Sequence, residues 1–269
     1  METIDTREFQ TIKVEVDGPL GRLTLNRPDR LNAIGATMLL ELVEAARWFD
    51  QHRDLRVVIL SGSGRAFTAG ADLKDMPAAE AQSSRSWLYR REVGQYGLRA
   101  ADAIEQMHAI TIIKVHGYAV GGGVVLTSAC DFRVAAEDAS FFIPEIELGI
   151  PLAWGGIPRL VREIGPVLTK ELVITCRRFS PQEAKAIGFI NRVVPAAELD
   201  AEVEQLARDI IDKPSVPVAI TKEHVNAISR MMSAGAATFA DGDGLLGALG
   251  DPESRAAARA YRERTFRKK

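Results

Sequence analysis

Ile112-Ile-Lys-Val-His-Gly-Tyr-Ala-Val-Gly-Gly-Gly-Val-Val-Leu-Thr-Ser-Ala-Cys-Asp131 runs without interruption from strand chemistry, through glycine, to helix chemistry. The β-branched residues between Ile112 and Val115 predict a buried strand. The chain then turns at Gly117 and reaches Gly121, Gly122 and Gly123, and the apolar run from Val124 to Cys130 has helical rather than alternating character. A strand that passes through glycines into a helix leaves unpaired N–H groups at the helix start. Without a Cβ, the glycines let a ligand approach that backbone closely. Such a terminus favours negative charge, either a phosphate or an oxyanion that develops during a reaction. A tight turn packed for structure alone satisfies the same residues, so the stretch does not choose between them by itself.

Upstream, Thr11 to Val16 alternates in the manner of a strand, Asp17-Gly18 and Gly21 supply turn chemistry, and Arg22 to Asn26 answers as a second strand. The expectation is an opening β-hairpin. Met38, Leu39, Leu42 and Ala45 recur at helical spacing before Asp50, and Val57 to Leu60 reads as a central strand. Next comes the small-residue loop Ser61-Gly-Ser-Gly-Arg-Ala-Phe-Thr-Ala-Gly-Ala-Asp-Leu-Lys74. It lacks the Gly-Lys-Ser/Thr ending of a P-loop, and Phe67 stands where a dinucleotide fingerprint needs its third glycine. Met76 to Met107 is charged and helical, with Trp87, Leu88, Tyr96, Leu98 and Ile104 as apolar members. Both a pocket wall and an ordinary amphipathic helix pair fit that pattern.

Downstream, Phe132 to Ala135 and Ala139 to Ile143 predict strands, and Pro144-Glu145-Ile-Glu147-Leu-Gly149-Ile-Pro151 is a loop carrying two carboxylates. Gly155-Gly156-Ile157-Pro158 leads into a helix from about Arg159, and Ser180-Pro181 starts another with serine as cap and proline just inside. Ile190 to Val194 is a last short strand. Beyond Pro195 the pattern is helical, with breaks near Lys213-Pro214, Gly242 to Gly244 and Asp251-Pro252. These readings divide the chain into a core, residues 1–195, and a helical region, residues 196–269.

The composition sets outer limits. Hydrophobic residues make up 46% and charged residues 26% of the 269, an ordinary globular balance. A net charge of -2 gives no sign of a nucleic-acid binder. Two cysteines, Cys130 and Cys176, are too few and too isolated for a disulfide framework or a zinc site. No apolar run approaches the roughly 20 residues that span a bilayer, and Met1 to Gln10 carries no signal core. The expectation is a soluble, cytoplasmic protein without a membrane partner. Ser128 near Cys130 and Asp131 has no histidine placed for a nucleophilic triad. His52, His108, His116 and His224 show no metal-ligand spacing.

Three segments together resemble the crotonase (enoyl-CoA hydratase/isomerase) family: Ala66-Phe67-x-Ala69-Gly70-Ala71-Asp72-Leu73-Lys74, Gly117-Tyr-Ala-Val-Gly-Gly-Gly123 and the Pro144-Glu145 pair. The likeness runs from Leu25-Asn-Arg-Pro-Asp-Arg-Leu-Asn-Ala33 into the carboxy-terminal helices. It implies an α/β fold, a spiral of repeated β-β-α units with small perpendicular sheets, followed by helices used in trimer assembly. It also implies an acyl-CoA thioester as substrate, with coenzyme A part of that substrate and no separate cofactor, and a homotrimer or dimer of trimers. By this resemblance the N–H groups of Ala71 and Gly122 hold the thioester oxygen. Ala69, Ala71, Asp72, Leu73 and Lys74, with Gly122 and Val125, line the substrate. The chemistry agrees, because removing a proton beside a thioester carbonyl puts negative charge on that oxygen, where preorganised donors stabilise it.

Hydratases of the family carry two glutamates, one just after the triple glycine and one in the Pro-Glu pair. The second is present here as Glu145, whereas the first position is Val125. Valine can neither position a water nor exchange a proton. A single buried glutamate can still take a proton from one carbon and return it to another, which is the chemistry of a double-bond shift in a 3-enoyl thioester. Hydration of a 2-enoyl thioester is weakened but remains open. If the loop is extended, Glu147 points the same way as Glu145 and joins it; solvent exposure or an ion pair is the other reading. His116, beside the pocket by the resemblance, reads equally as a hydrogen-bonded strand-end histidine. Dienoyl-type isomerases place an acid where this chain has Ala153. The alternative function is an acyl-CoA-binding protein of the same fold that lost turnover through Val125.

Overall fold

The computed structural model describes residues 4–73, 85–232 and 240–266. Its strands are β1 (Asp5–Arg7), β2 (Ile12–Asp17), β3 (Leu20–Leu25), β4 (Val57–Gly62), β5 (Ile110–Val115), β6 (Tyr118–Val120), β7 (Phe132–Ala136), β8 (Ser140–Phe142) and β9 (Arg192–Val194). The described helices are α1 (Ala36–Phe49), α2 (Trp87–Gly94), α3 (Tyr96–Gln106), α4 (Gly122–Ser128), α5 (Gly156–Thr175), α6 (Pro181–Ala186), α7 (Leu199–Ile211), α8 (Ser215–Met232), α9 (Asp241–Gly250) and α10 (Pro252–Phe266).

The opening hairpin forms as the alternation predicts. Its turn is Gly18-Pro19, since Asp17 pairs with Leu20, and Gly18 has a φ of 54°. Gly21 lies within β3 and not in the turn. It is glycine because a Cβ there would come 2.9 Å from the Phe49 ring, so the strand packs directly on α1.

From β3 onward the chain spirals. A seven-stranded sheet has the order β1-β2-β3-β4-β5-β7-β9, and every pairing from β3 to β9 is parallel. After β5 and again after β7 the chain adds a short strand to a second sheet, where Tyr118–Val120 pairs with Ser140–Phe142 in parallel. Single bridges, Ile34 with Ala71 and Thr68 with Ala119, stack the earlier turns in the same way. Each turn of the spiral therefore delivers one loop to the same edge, and these are the loops singled out in the sequence. The central strands β4, β5 and β7 are near-continuous apolar runs because helices cover them: Val57, Val58, Leu60, Ile112, Ile113, Val134 and Ala135 are all buried.

Ser180 caps α6 by accepting a hydrogen bond from the Glu183 N–H at 3.1 Å, with Pro181 in the first turn, as its sequence predicts. Helix α5 starts at Gly156, earlier than Arg159, and is kinked at Gly165, which has a φ of 77°. The break expected near Gly242 to Gly244 falls just before them, at Ala240, and the two glycines form the first turn of α9. The reason is close approach, since a Cβ on Gly242 would lie 2.8 Å from the Gln95 side chain. After β9, α7 turns Leu199, Val203, Leu206 and Ala207 into the core. Helix α8 is tied down where Lys222 Nζ donates to Asp131 Oδ2 and to the Ala109 carbonyl, each at 2.7 Å. No helix among the described residues is long and apolar enough to cross a membrane.

Candidate active site

Ala71, Gly122 and Glu145 come together on one cavity of about 60 Å³. They arrive from three successive turns of the spiral. The Ile34 bridge places Ala71: the Ile34 N–H donates to the Gly70 carbonyl and the Ile34 carbonyl accepts from the Asp72 N–H. Both bonds flank Ala71, so its own N–H points away from Ile34. Gly122 opens α4, where the N–H of a first-turn residue has no partner within the helix. Glu145 sits in a turn closed by Leu148 and Ile150, both of which donate to the Glu145 carbonyl at 3.0 Å.

The remaining walls of this cavity are apolar: Val125, Ile150, Pro151, Leu152, Ala153, Trp154 and Leu245. Glu145 is buried among them, and among the described residues its Oε2 has no hydrogen-bond partner. Burial pushes its carboxyl up to about 7, against a smaller downward pull from its own backbone. A carboxylate poised there can hold or release a proton near neutral pH. Gly121 passes so close that a Cβ would stand 2.3 Å from Glu145 Oε1, and its φ is 52°. The second glycine-rich position is thus shaped around the carboxylate.

Trp154 is the residue that sequence reading missed. Its backbone is left-handed, with a φ of 61°, which costs a residue bearing a Cβ on the order of 1–2 kcal/mol. The loop offsets that strain with specific bonds. The Gly155 N–H donates to Asp241 Oδ2 at 2.7 Å, and Arg159 donates to the Trp154 carbonyl at 3.3 Å. Arg159 is itself fixed by Asp102 at 2.7 Å and by Glu105. A lone tryptophan in a Leu-Ala-Trp-Gly-Gly run was the available signal, because small neighbours leave room for one large ring. Leu245, which reaches the cavity from α9, had no local signal at all.

The other predicted positions fall around this centre. Val125 borders the cavity, so the departure from the two-glutamate pattern lies at the site itself. Ala153 is also on the wall, which leaves no acid at the dienoyl-isomerase position. Asp72 is buried and paired with Arg27 at 2.8 Å and Arg30 at 3.3 Å, and it borders an adjoining cavity with Ala71. Ala69 donates its N–H to the Leu31 carbonyl at 2.9 Å, and it and Leu73 are partly buried; neither lines either cavity. Lys74 lies outside the described residues. Glu147 does not join Glu145. The loop is turned and not extended, and Glu147 pairs with Arg264 of α10 at the surface. His116 Nε2 lies 3.0 Å from the Gly64 carbonyl, as the strand-end reading holds, and borders neither cavity. Of the segment between Met76 and Met107, Arg90, Val93, Gly94 and Tyr96 do wall the adjoining cavity, while Trp87 and Leu88 are exposed.

The profile of the family described as enoyl-CoA hydratase/isomerase matches residues 15–267. The chain belongs to this family. Among relatives of the enoyl-CoA hydratase/isomerase family, crotonyl-CoA hydratase of Syntrophomonas wolfei is 36% identical over 237 residues, 86% of this chain and 89% of that protein. The peroxisomal Delta(3,5)-Delta(2,4)-dienoyl-CoA isomerase of Arabidopsis thaliana is 37% identical over 230 residues, 82% of each. The crystal structure of an enoyl-CoA hydratase/isomerase from Mycobacterium paratuberculosis matches with a TM-score of 0.85 at 27% identity, covering 94% of this chain and 100% of that one. The protein is an enzyme of the enoyl-CoA hydratase/isomerase family with the α/β crotonase fold.

Proposed function

We propose that this enzyme acts on an enoyl-CoA thioester through an enolate, with Glu145 as the single general acid and base. The observation that carries the reading is the small cavity bordered by Ala71, Gly122 and a buried Glu145 whose Oε2 has no partner among the described residues, with Val125 in place of a second carboxylate. In a 3-enoyl thioester, the Glu145 carboxylate takes a proton from C2. The electron pair moves toward the carbonyl, and the dienolate oxygen accepts hydrogen bonds from the N–H groups of Ala71 and Gly122. The protonated Glu145 then returns its proton to C4, leaving the double bond between C2 and C3 and the carboxylate restored. No water enters and no atom is lost, so one carboxylate suffices. Removing one such oxyanion donor costs on the order of 3–4 kcal/mol of barrier in comparable sites.

Hydration of a 2-enoyl thioester is the second reading, favoured by the hydratases among the relatives. A single assay separates these from a binder without turnover. Incubation with 2-enoyl and 3-enoyl thioesters, followed by ultraviolet absorbance and mass, is expected to give a moved double bond at unchanged mass. A gain of one water assigns hydration instead, and binding without change in either substrate would sink the enzymatic reading of this site.

The same proposal includes a homotrimer or dimer of trimers. Helix α8 supports it, because Val216, Ile220, Val225, Ile228, Met231 and Met232 are all exposed along it. Beneath the helix lies a largely apolar cleft of about 690 Å³. Exposed apolar surface of this extent marks an interaction face. Light scattering at micromolar concentration is expected to report at least three times the chain mass of 29.3 kDa. A monomer would remove the claim.

A further inference from the structure

Two cavities meet at Trp154. The one that holds Glu145 measures about 60 Å³, and its neighbour, running between Leu39, Val93, Tyr96 and Leu246, measures about 140 Å³. Both are bordered by Ala71, Ile150, Trp154 and Leu245. The Trp154 indole is closely packed against two backbones. A Cβ on Gly97 would lie 2.1 Å from the atoms of its five-membered ring, and a Cβ on Gly122 would lie 2.0 Å from its six-membered ring. Glycine at both places lets two backbones press on the two halves of the side chain. The bonds from Arg159 and to Asp241 hold the peptide unit that follows Trp154.

The chamber left around Glu145 therefore has a fixed end. It measures only about 60 Å³, and among the described residues its walls offer an acyl tail no hydrogen-bond partner beyond the reacting centre. We propose that Trp154 is the specificity-determining residue of this enzyme: it closes the acyl end of the site and restricts it to short, apolar acyl groups, keeping longer chains out of the second cavity. This rests on the thioester reading above and adds the size class of the substrate. Fitted apolar pockets discriminate by about 10–200-fold for each methylene that does not fit.

The test compares crotonyl-CoA with a decenoyl-CoA, by kcat/KM and, for binding without turnover, by Kd. The parent is expected to favour the short thioester by at least about 10-fold. Trp154→Ala joins the two cavities and is expected to remove that preference. Trp154→Leu keeps apolar bulk in the loop should the alanine variant fold poorly, and is expected to relax the preference in part. Leu246 borders only the second cavity, so Leu246→Trp should leave the parent ratio unchanged but withdraw the long-chain gain in the Trp154→Ala background. Equal acceptance of both thioesters by the parent, or unchanged preference in a folded Trp154 variant, overturns the proposal alone. Failure of the parent to bind either thioester overturns the thioester reading and this proposal with it.

Discussion

Glu145→Gln is expected to lower turnover by at least about 10²-fold while leaving thioester affinity nearly unchanged. Glutamine keeps the shape of the side chain and its capacity to accept a hydrogen bond, but it cannot take a proton. With Val125 on the cavity wall, no second carboxylate among the described residues there can substitute. The parent should also show the pH signature of its base. Because burial holds the Glu145 carboxyl up to about 7, the fraction in the carboxylate form rises with pH until then. The kcat/KM is therefore expected to climb about tenfold per pH unit below that point and to level off above it. A profile that falls over the same range would make the protonated form the active one. Activity equal to the parent in the glutamine variant would remove Glu145 as the base.

The same substitution should act on stability with the opposite sign. The folded state raises the pKa of Glu145 above that of an ordinary glutamate, so between about 4.5 and 7 the folded chain binds the proton more tightly than the unfolded one. Stability from this group is complete below that window and is lost as pH rises through it. Above pH 7 the parent carries a buried carboxylate whose Oε2 has no partner among the described residues, a burden on the order of 3 kcal/mol by this linkage. Glu145→Gln carries no such charge. It is expected to melt higher than the parent in alkaline buffer and level with it in acid, as measured by calorimetry across pH. A site residue whose removal costs activity and increases stability bears a functional strain and not a structural one.

Local chemistry made much of this fold legible, and the exceptions share one cause. The β2–β3 hairpin, the capped start of α6 and the strand before the glycines were readable because each is written in neighbouring residues. Tyr118–Val120 was not read as a strand, since its pairing depends on Ser140–Phe142, a full turn of the spiral later. Gly21 reads as a turn residue and Gly242 as part of a helix break, but both serve close packing, against Phe49 and Gln95, partners that sequence spacing cannot reveal. Glu145 was legible through its motif, and Glu147 stood beside it only under the assumption of an extended loop. Trp154 and Leu245 complete the chamber from positions with no shared motif. The spiral and the returning α9 bring them together, and that is long-range information.

Gly121→Ala is expected to reduce turnover by at least about 10²-fold and to destabilise the fold by roughly 1–3 kcal/mol, through two separable effects. The first is backbone strain: at a φ of 52° and a ψ of -113°, this position is one that only glycine adopts at little cost. The second is contact, since the new Cβ would stand 2.3 Å from Glu145 Oε1. That atom is the far end of a flexible side chain, so relieving the clash adds little to the folding cost. What moves, however, is the base itself, and a displacement of about 1 Å at a reacting group is enough for the stated loss of rate. Gly247→Ala is the matched control, because Gly247 lies inside α9 and a methyl added there would meet nothing within 4 Å. There the same substitution should stabilise by up to about 1 kcal/mol, as alanine does over glycine in a helix, with turnover unchanged. Unfolding midpoints and turnover of both variants, measured where each is fully folded, decide the matter. A Gly121→Ala enzyme as active as its Gly247→Ala counterpart would mean that the carboxylate does not need the position in which Gly121 leaves it.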